Sequence, residues 1–132
     1  MKVKKILIID DNDNFRAMLE DYLKMHNLGV EIFQASTGEM GITKAACIRP
    51  EIVLMDISLP SINGIDTTKQ ILLDYPDCQV IILTMFEVEV FRKAADQINA
   101  VDFIGKSEVF DRLLPSIKKC LAKNGNGRLK RG

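Results

Sequence analysis

Four apolar runs in this 132-residue chain end on groups that could handle a charged ligand. Residues 6–9 pass straight into Asp10 and Asp11, "IVLM" ends on Asp56, "VIIL" on Thr84 and "FIG" on Lys106. Adjacent carboxylates repel, and an ionised carboxylate is costly to bury unless a positive charge compensates it. Three acids without a nitrogen or sulfur donor suit a hard divalent cation. Mg²⁺ takes one or two carboxylates, keeps waters and leaves room for a phosphate. Lys106 adds a mobile point charge, and Thr84 adds a hydroxyl able to bond a phosphoryl oxygen. Such a set holds a neutral molecule poorly. It is well matched to Mg²⁺ with a phosphoryl group, whose charge Lys106 and the metal would share.

These groups meet only if the runs that carry them lie side by side. Residues 3–9, 52–55 and 80–83 are nearly continuous aliphatic stretches, as expected of parallel strands covered on both faces. Residues 30–35 ("VEIFQA") alternate more and residues 101–105 are short, which suits edge strands. Between them run helix-periodic segments. Phe15, Met18, Leu19, Tyr22 and Leu23 form one apolar stripe, with Asp13 placed as its N-cap. Residues 37–48 give a second helix stopped by Pro50, and residues 65–75 a third closed by Pro76. Phe91, Ala94, Ala95 and Ile98 mark a fourth. Phe110, Leu113, Leu114, Ile117 and Leu121 mark a fifth, entered through Ser107, with Pro115 as a kink or shifted start. Strands alternating with helices predict a doubly wound, flavodoxin-like α/β sheet of order 2-1-3-4-5. Ligands bind beyond the carboxyl ends of such strands, where the strand order reverses. Here that is between strands 1 and 3, which places Asp10, Asp11 and Asp56 on one crevice, with Thr84 and Lys106 on the same rim.

Composition bounds the rest. With 18 basic against 18 acidic residues, the formal net charge of zero gives no general attraction to nucleic acid or acidic membranes. Cys47, Cys78 and Cys120 are an odd count without CxxC spacing, and with the lone His26 they make no recognisable zinc set. They read as reduced thiols packed as small core residues in a cytoplasmic protein, and His26 reads as a surface or capping residue. The apolar run at residues 6–9 is too short for a signal peptide, and no run is long enough to cross a membrane. After Lys123 the stretch "NGNGRLKRG", residues 124–132, reads as a flexible basic tail or truncated linker.

The spacing of these motifs resembles the receiver domain of bacterial two-component response regulators. The resemblance rests on "DD" at 10–11, "D-x-S-L-P-x-x-x-G" from Asp56 to Gly64, "LT" at 83–84 and "GK" at 105–106. It makes residues 1–123 one receiver domain. It implies that Asp56 is the phosphoacceptor, fed by a phosphohistidine on a sensor histidine kinase or phosphotransfer protein. Asp11, Asp56 and the backbone carbonyl of Ser58 would then ligate Mg²⁺ directly, with Asp10 acting mainly through a bound water. Lys106 would pair with the phosphoryl group, Thr84 would move toward it, and Phe103 would swing inward as the switch aromatic. The protein would be a signalling switch rather than an enzyme, beyond its own Mg²⁺-dependent phosphorylation and slow dephosphorylation. Two departures stand out. Ser107 follows Lys106 where the family usually has proline, which leaves open whether that bond is cis. Met85 follows Thr84 where a small residue is usual, which would narrow access to the phosphoryl group.

Blander readings exist for each part. Asp10 and Asp11 alone could be a solvated strand end, Thr84 an ordinary strand residue, Phe103 plain core, and Asn63-Gly64 a turn. The output is open as well. The segment "FEVEVF" at 86–91 and the surface around strand 5 could bury against a downstream effector or a second copy. Alternatively, "LTM", "FIGKS" and the glycine-rich tail resemble receivers that carry a C-terminal helix-turn-helix. DNA would then be reached only through an output domain absent from this chain. A haloacid-dehalogenase-like hydrolase would need a second acid where Ser58 follows Asp56, so that reading carries little weight.

Overall fold

The computed structural model describes residues 3–57, 63–85, 93 and 97–123. In chain order the elements are β1 (Lys4–Ile9), α1 (Asp13–Met25), β2 (Val30–Ala35), α2 (Gly38–Ile48), β3 (Ile52–Asp56), α3 (Gly64–Asp74), β4 (Gln79–Thr84) and β5 (Asp102–Gly105). A 3₁₀ turn (Lys106–Glu108) then leads into α4 (Val109–Lys123). The five strands pair in parallel in the order β2-β1-β3-β4-β5, as the pattern of runs predicts.

The continuous aliphatic runs are explained by burial on both faces. On one side Leu7, Ile9, Val53, Met55, Val80, Ile82 and Phe103 pack with Ala45 of α2 and Ile71 of α3. On the other side Ile6, Ile8, Ile52, Leu54, Ile81, Leu83 and Ile104 pack with Leu19 and Leu23 of α1 and with Leu113 and Ile117 of α4. Each such aliphatic side chain withdrawn from water contributes about 1.5–3 kcal/mol. β2, at the sheet edge, keeps Glu31 exposed and buries only Ala35 fully, which accounts for its more mixed sequence.

Three helix starts are fixed by side-chain caps. Asn12, Thr37 and Asn63 accept from the amides of Phe15, Met40 and Asp66 at 2.8, 3.0 and 2.9 Å. The α1 cap is therefore Asn12 and not Asp13, which is the first helical residue and pairs with Arg16. The amide side chain of Asn12 caps the helix while Asp13 favours the positive end of its dipole. Asn63, expected as part of a turn, caps α3. Pro115 lies inside α4, which runs on past it. The end of α4 is tied to the sheet: Lys4 Nζ donates to the Leu121 carbonyl at 3.0 Å and Gln79 Nε2 to that of Cys120 at 2.9 Å.

Of the expected fourth helix, Phe91, Ala94 and Ala95 lie outside the described residues, while Lys93 and Gln97 are helical and Ile98 is buried just after. Ser58, residues 86–91 and the tail at 124–132 also lie outside them. Cys78 and Cys120 are core residues, but Cys47 is exposed. It sits on the outer side of α2 beside exposed Ala46, because α2 carries apolar residues beyond the face it buries. His26 is the C-cap residue of α1, its ring edge-on to Tyr22.

Candidate functional site

Parallel strands in register bring their ends to one level. Ile9 lies opposite Met55, Asp56 opposite Leu83 and Thr84 opposite Gly105, so the residues that follow share one rim. At that rim Asp10, Asp11 and Asp56 each present a carboxylate oxygen, all within 4.8 Å of one another. Asp10 and Asp56 are buried and Asp11 is exposed, so the cluster opens to solvent on one side. An all-oxygen, triply acidic set of this spacing fits a hard divalent cation such as Mg²⁺.

Among the described residues, Lys106 compensates these charges. Its ammonium lies 2.8 Å from Asp10 Oδ2 and 3.9 Å from Asp56 Oδ2, with the lysine side chain only 12% exposed. The other Asp10 oxygen accepts the Asn12 amide at 2.8 Å, an Asx turn leading from the strand into the α1 cap. Among the described residues no hydrogen bond is directed at Asp10 Oδ2, and the Lys106 ion pair offsets its burial. Thr84 is fully buried beside them at the end of β4. Phe103 is buried with the α2 and α3 cluster. Lys106–Ser107 is trans, and Ser107 sits in the 3₁₀ turn that starts at Lys106. Met85 is 71% exposed, immediately after Thr84.

Three further residues shape the site: Arg16, Phe15 and Gly64. Arg16, in the first turns of α1, donates to the Asp10 carbonyl at 2.6 Å and to Gln34 Oε1 at 2.9 Å, tying β1, α1 and β2 together. Gln34 in turn donates to Glu20 at 2.6 Å, and Glu20 pairs with Lys24. Those two partners hold the Glu20 carboxyl below its ordinary range, Lys24 foremost. Phe15, placed in the apolar stripe of α1, lays its ring against Lys106, with Nζ 4.3 Å from the ring centroid. Gly64 packs on the backbone that follows β3. Its amide donates to the Ile57 carbonyl at 3.0 Å, and a Cβ there would lie 2.7 Å from Ile57 Cα and 2.8 Å from the Asp56 carbonyl carbon. The one readable signal for the first two was their position, a few residues after the acidic pair, where the first helix turns back over the strand end.

A family model described as the response regulator receiver domain matches residues 6–118. The chain is 30% identical to the response regulator GacA of Pseudomonas syringae over 122 residues, covering 89% of this chain and 55% of GacA. It is 32% identical to the chemotaxis protein CheY of Thermotoga maritima over 117 residues, covering 88% of this chain and 96% of CheY. The chain thus spans about half the length of GacA and nearly all of CheY. Among solved structures, the response regulator TrrA of Thermotoga maritima in complex with Mg²⁺-BeF is 30% identical, with a TM-score of 0.80 over 89% of this chain and 99% of TrrA. The receiver domain of an HD-domain protein from Pseudomonas fluorescens superposes with a TM-score of 0.85 at 19% identity over 92% of this chain and 96% of that one, a likeness of fold.

Proposed function

The chain belongs to the response regulator receiver domain family, and from that premise we propose that it is a switch phosphorylated on Asp56. One observation carries the reading: a buried carboxylate at the end of β3 stands in one cluster with two more acids and within 3.9 Å of a lysine ammonium. In the reaction, an Asp56 carboxylate oxygen attacks phosphorus and the bond from phosphorus to the donor breaks. For a phosphohistidine donor, the imidazole leaves and takes up a proton. Lys106, now paired with Asp10, pairs instead with the phosphoryl oxygens that appear on Asp56. Thr84 would move toward the same oxygens, and Phe103 would follow it as the switch aromatic. A change of this kind needs only a few kcal/mol of differential contact to shift a two-state surface.

Asp10, Asp11 and Asp56, with the Ser58 carbonyl, would hold Mg²⁺, which when bound supplies charge neutralisation at the transferring phosphoryl group. The likeness to TrrA, solved with Mg²⁺-BeF, supports that choice of metal. The donor would be a sensor histidine kinase or phosphotransfer protein. The output would be either a separate effector or second copy, as for a single receiver, or a fused DNA-binding domain. GacA is about twice as long as the part matched here, which leaves room for a further domain in such relatives.

The test is intact mass after incubation with Mg²⁺ and acetyl phosphate. One phosphoryl adduct is expected, absent without Mg²⁺ and absent in Asp56→Asn. An adduct of equal yield in Asp56→Asn would refute the assignment.

A further inference from the structure

Lys106 does not choose its position by charge alone. Among the described residues its ammonium has two carboxylates in reach, Asp10 at 2.8 Å and Asp56 at 3.9 Å, so it pairs closely with the first and lies beyond hydrogen-bond distance of the second. The third group against it is the face of Phe15, 4.3 Å from the ammonium to the ring centroid. Phe15 stands in the first turn of α1, just after the Asn12 cap that hangs from Asp10, and it also packs against the core under that helix. The ring is therefore fixed by the helix start that follows the acid cluster. The Lys106 side chain is only 12% exposed, and an aromatic face offers a partly buried ammonium an attraction that an aliphatic side chain could not.

We propose that Phe15 is a positioning residue for the phosphoryl-transfer chemistry, acting through Lys106. Its π-face holds the ammonium at the Asp10 side of the cluster while Asp56 is unmodified. It also confines the lysine to a short path toward the phosphoryl oxygens once they form. The inference rests on the function proposed above but makes a separate structural claim, that the quadrupole of the ring and not its bulk sets where Lys106 sits. Leucine or methionine at position 15 would keep the packing under α1 and lose the charge–ring attraction. Tyrosine would keep both.

The experiment compares the parent chain with Phe15→Leu, Phe15→Met and Phe15→Tyr. NMR of the unphosphorylated proteins reads the Lys106 Hε protons, assigned with Lys106→Arg. An ammonium over a ring face shifts them upfield, so the shift is expected in the parent and in Phe15→Tyr and lost in the other two. Mg²⁺ affinity, measured by calorimetry, is expected to stay within about twofold throughout, because no metal ligand is altered. With Mg²⁺ saturating, the maximal rate of phosphorylation by acetyl phosphate is expected to fall about three- to tenfold in Phe15→Leu and Phe15→Met, with the half-saturating donor concentration unchanged. Phe15→Tyr should recover the parent rate. Ordinary Hε shifts in the parent, or parent rates in Phe15→Leu, overturn the proposal. A parent that takes no phosphoryl group overturns the function reading instead, because the Lys106 signals still report whether the ring holds the ammonium.

Discussion

At the scale of single residues, the site is a place where stability is given up. Three carboxylate oxygens within 4.8 Å repel one another, and among the described residues Lys106 offsets them. Asp10, Asp11, Asp56, Thr84 and Lys106 were legible because each breaks an aliphatic run with a group that such a run does not need. Phe15 and Arg16 were not, because an aromatic in a helix stripe and a charge on a helix face are ordinary until the helix folds back over the strand end. Cys47 is exposed and not core for the opposite reason, since α2 spreads apolar residues past its buried face. Met85 gives a test at this scale. It stands 71% exposed next to buried Thr84. Met85→Ala is expected to speed both phosphorylation and loss of the acyl phosphate severalfold, followed by intact mass over time. Unchanged rates would show that the side chain does not screen the acceptor.

At the scale of elements, the helix starts aim the site. Asn12 couples the α1 cap to the Asp10 carboxylate, and Gly64 seats α3 directly on the backbone that follows Asp56. The strand runs and helix stripes showed that these elements exist. The boundaries came out a residue away because Asn12 and Asp13 are both good caps, and only the Phe15 amide shows which one is used. Gly64 looked like a turn glycine. Its actual constraint is the close approach of Asp56 and Ile57, which no local pattern records. Gly64→Ala is therefore expected to cost about 1–3 kcal/mol or more in urea denaturation, since a backbone clash has no flexible side chain to give way. It should also weaken Mg²⁺ binding in the fraction that remains folded. Asn63→Ala, which removes only the cap, should cost about 1 kcal/mol and leave Mg²⁺ binding unchanged.

At the scale of the whole molecule, a sheet buried on both faces makes a platform whose carboxyl edge carries Asp10, Asp11, Asp56, Thr84 and Lys106. The strand order was legible because edge strands are shorter or more mixed than central ones. The output surface was not, because residues 86–91 lie outside the described residues and a partner face reads like any other helix face. The depth of the core has its own pH signature. Burial foremost, with the Glu51 carboxylate adding to it, pushes the Cys78 thiol from 9.0 up to about 12. The folded chain then keeps a proton that the unfolded chain releases. Its contribution is full below about pH 9 and is lost as pH rises from there toward 12. Urea midpoints between pH 8 and 10.5 should fall less steeply in Cys78→Ala than in the parent, and parallel curves would contradict this. The central claim concerns one atom group on that platform, and its most direct test is chemical. Borohydride reduction of the phosphorylated protein converts an acyl phosphate to homoserine at its own position, which peptide sequencing by mass spectrometry locates. Homoserine at position 56 is the predicted result; homoserine at position 10 or 11, with position 56 unchanged, would contradict it.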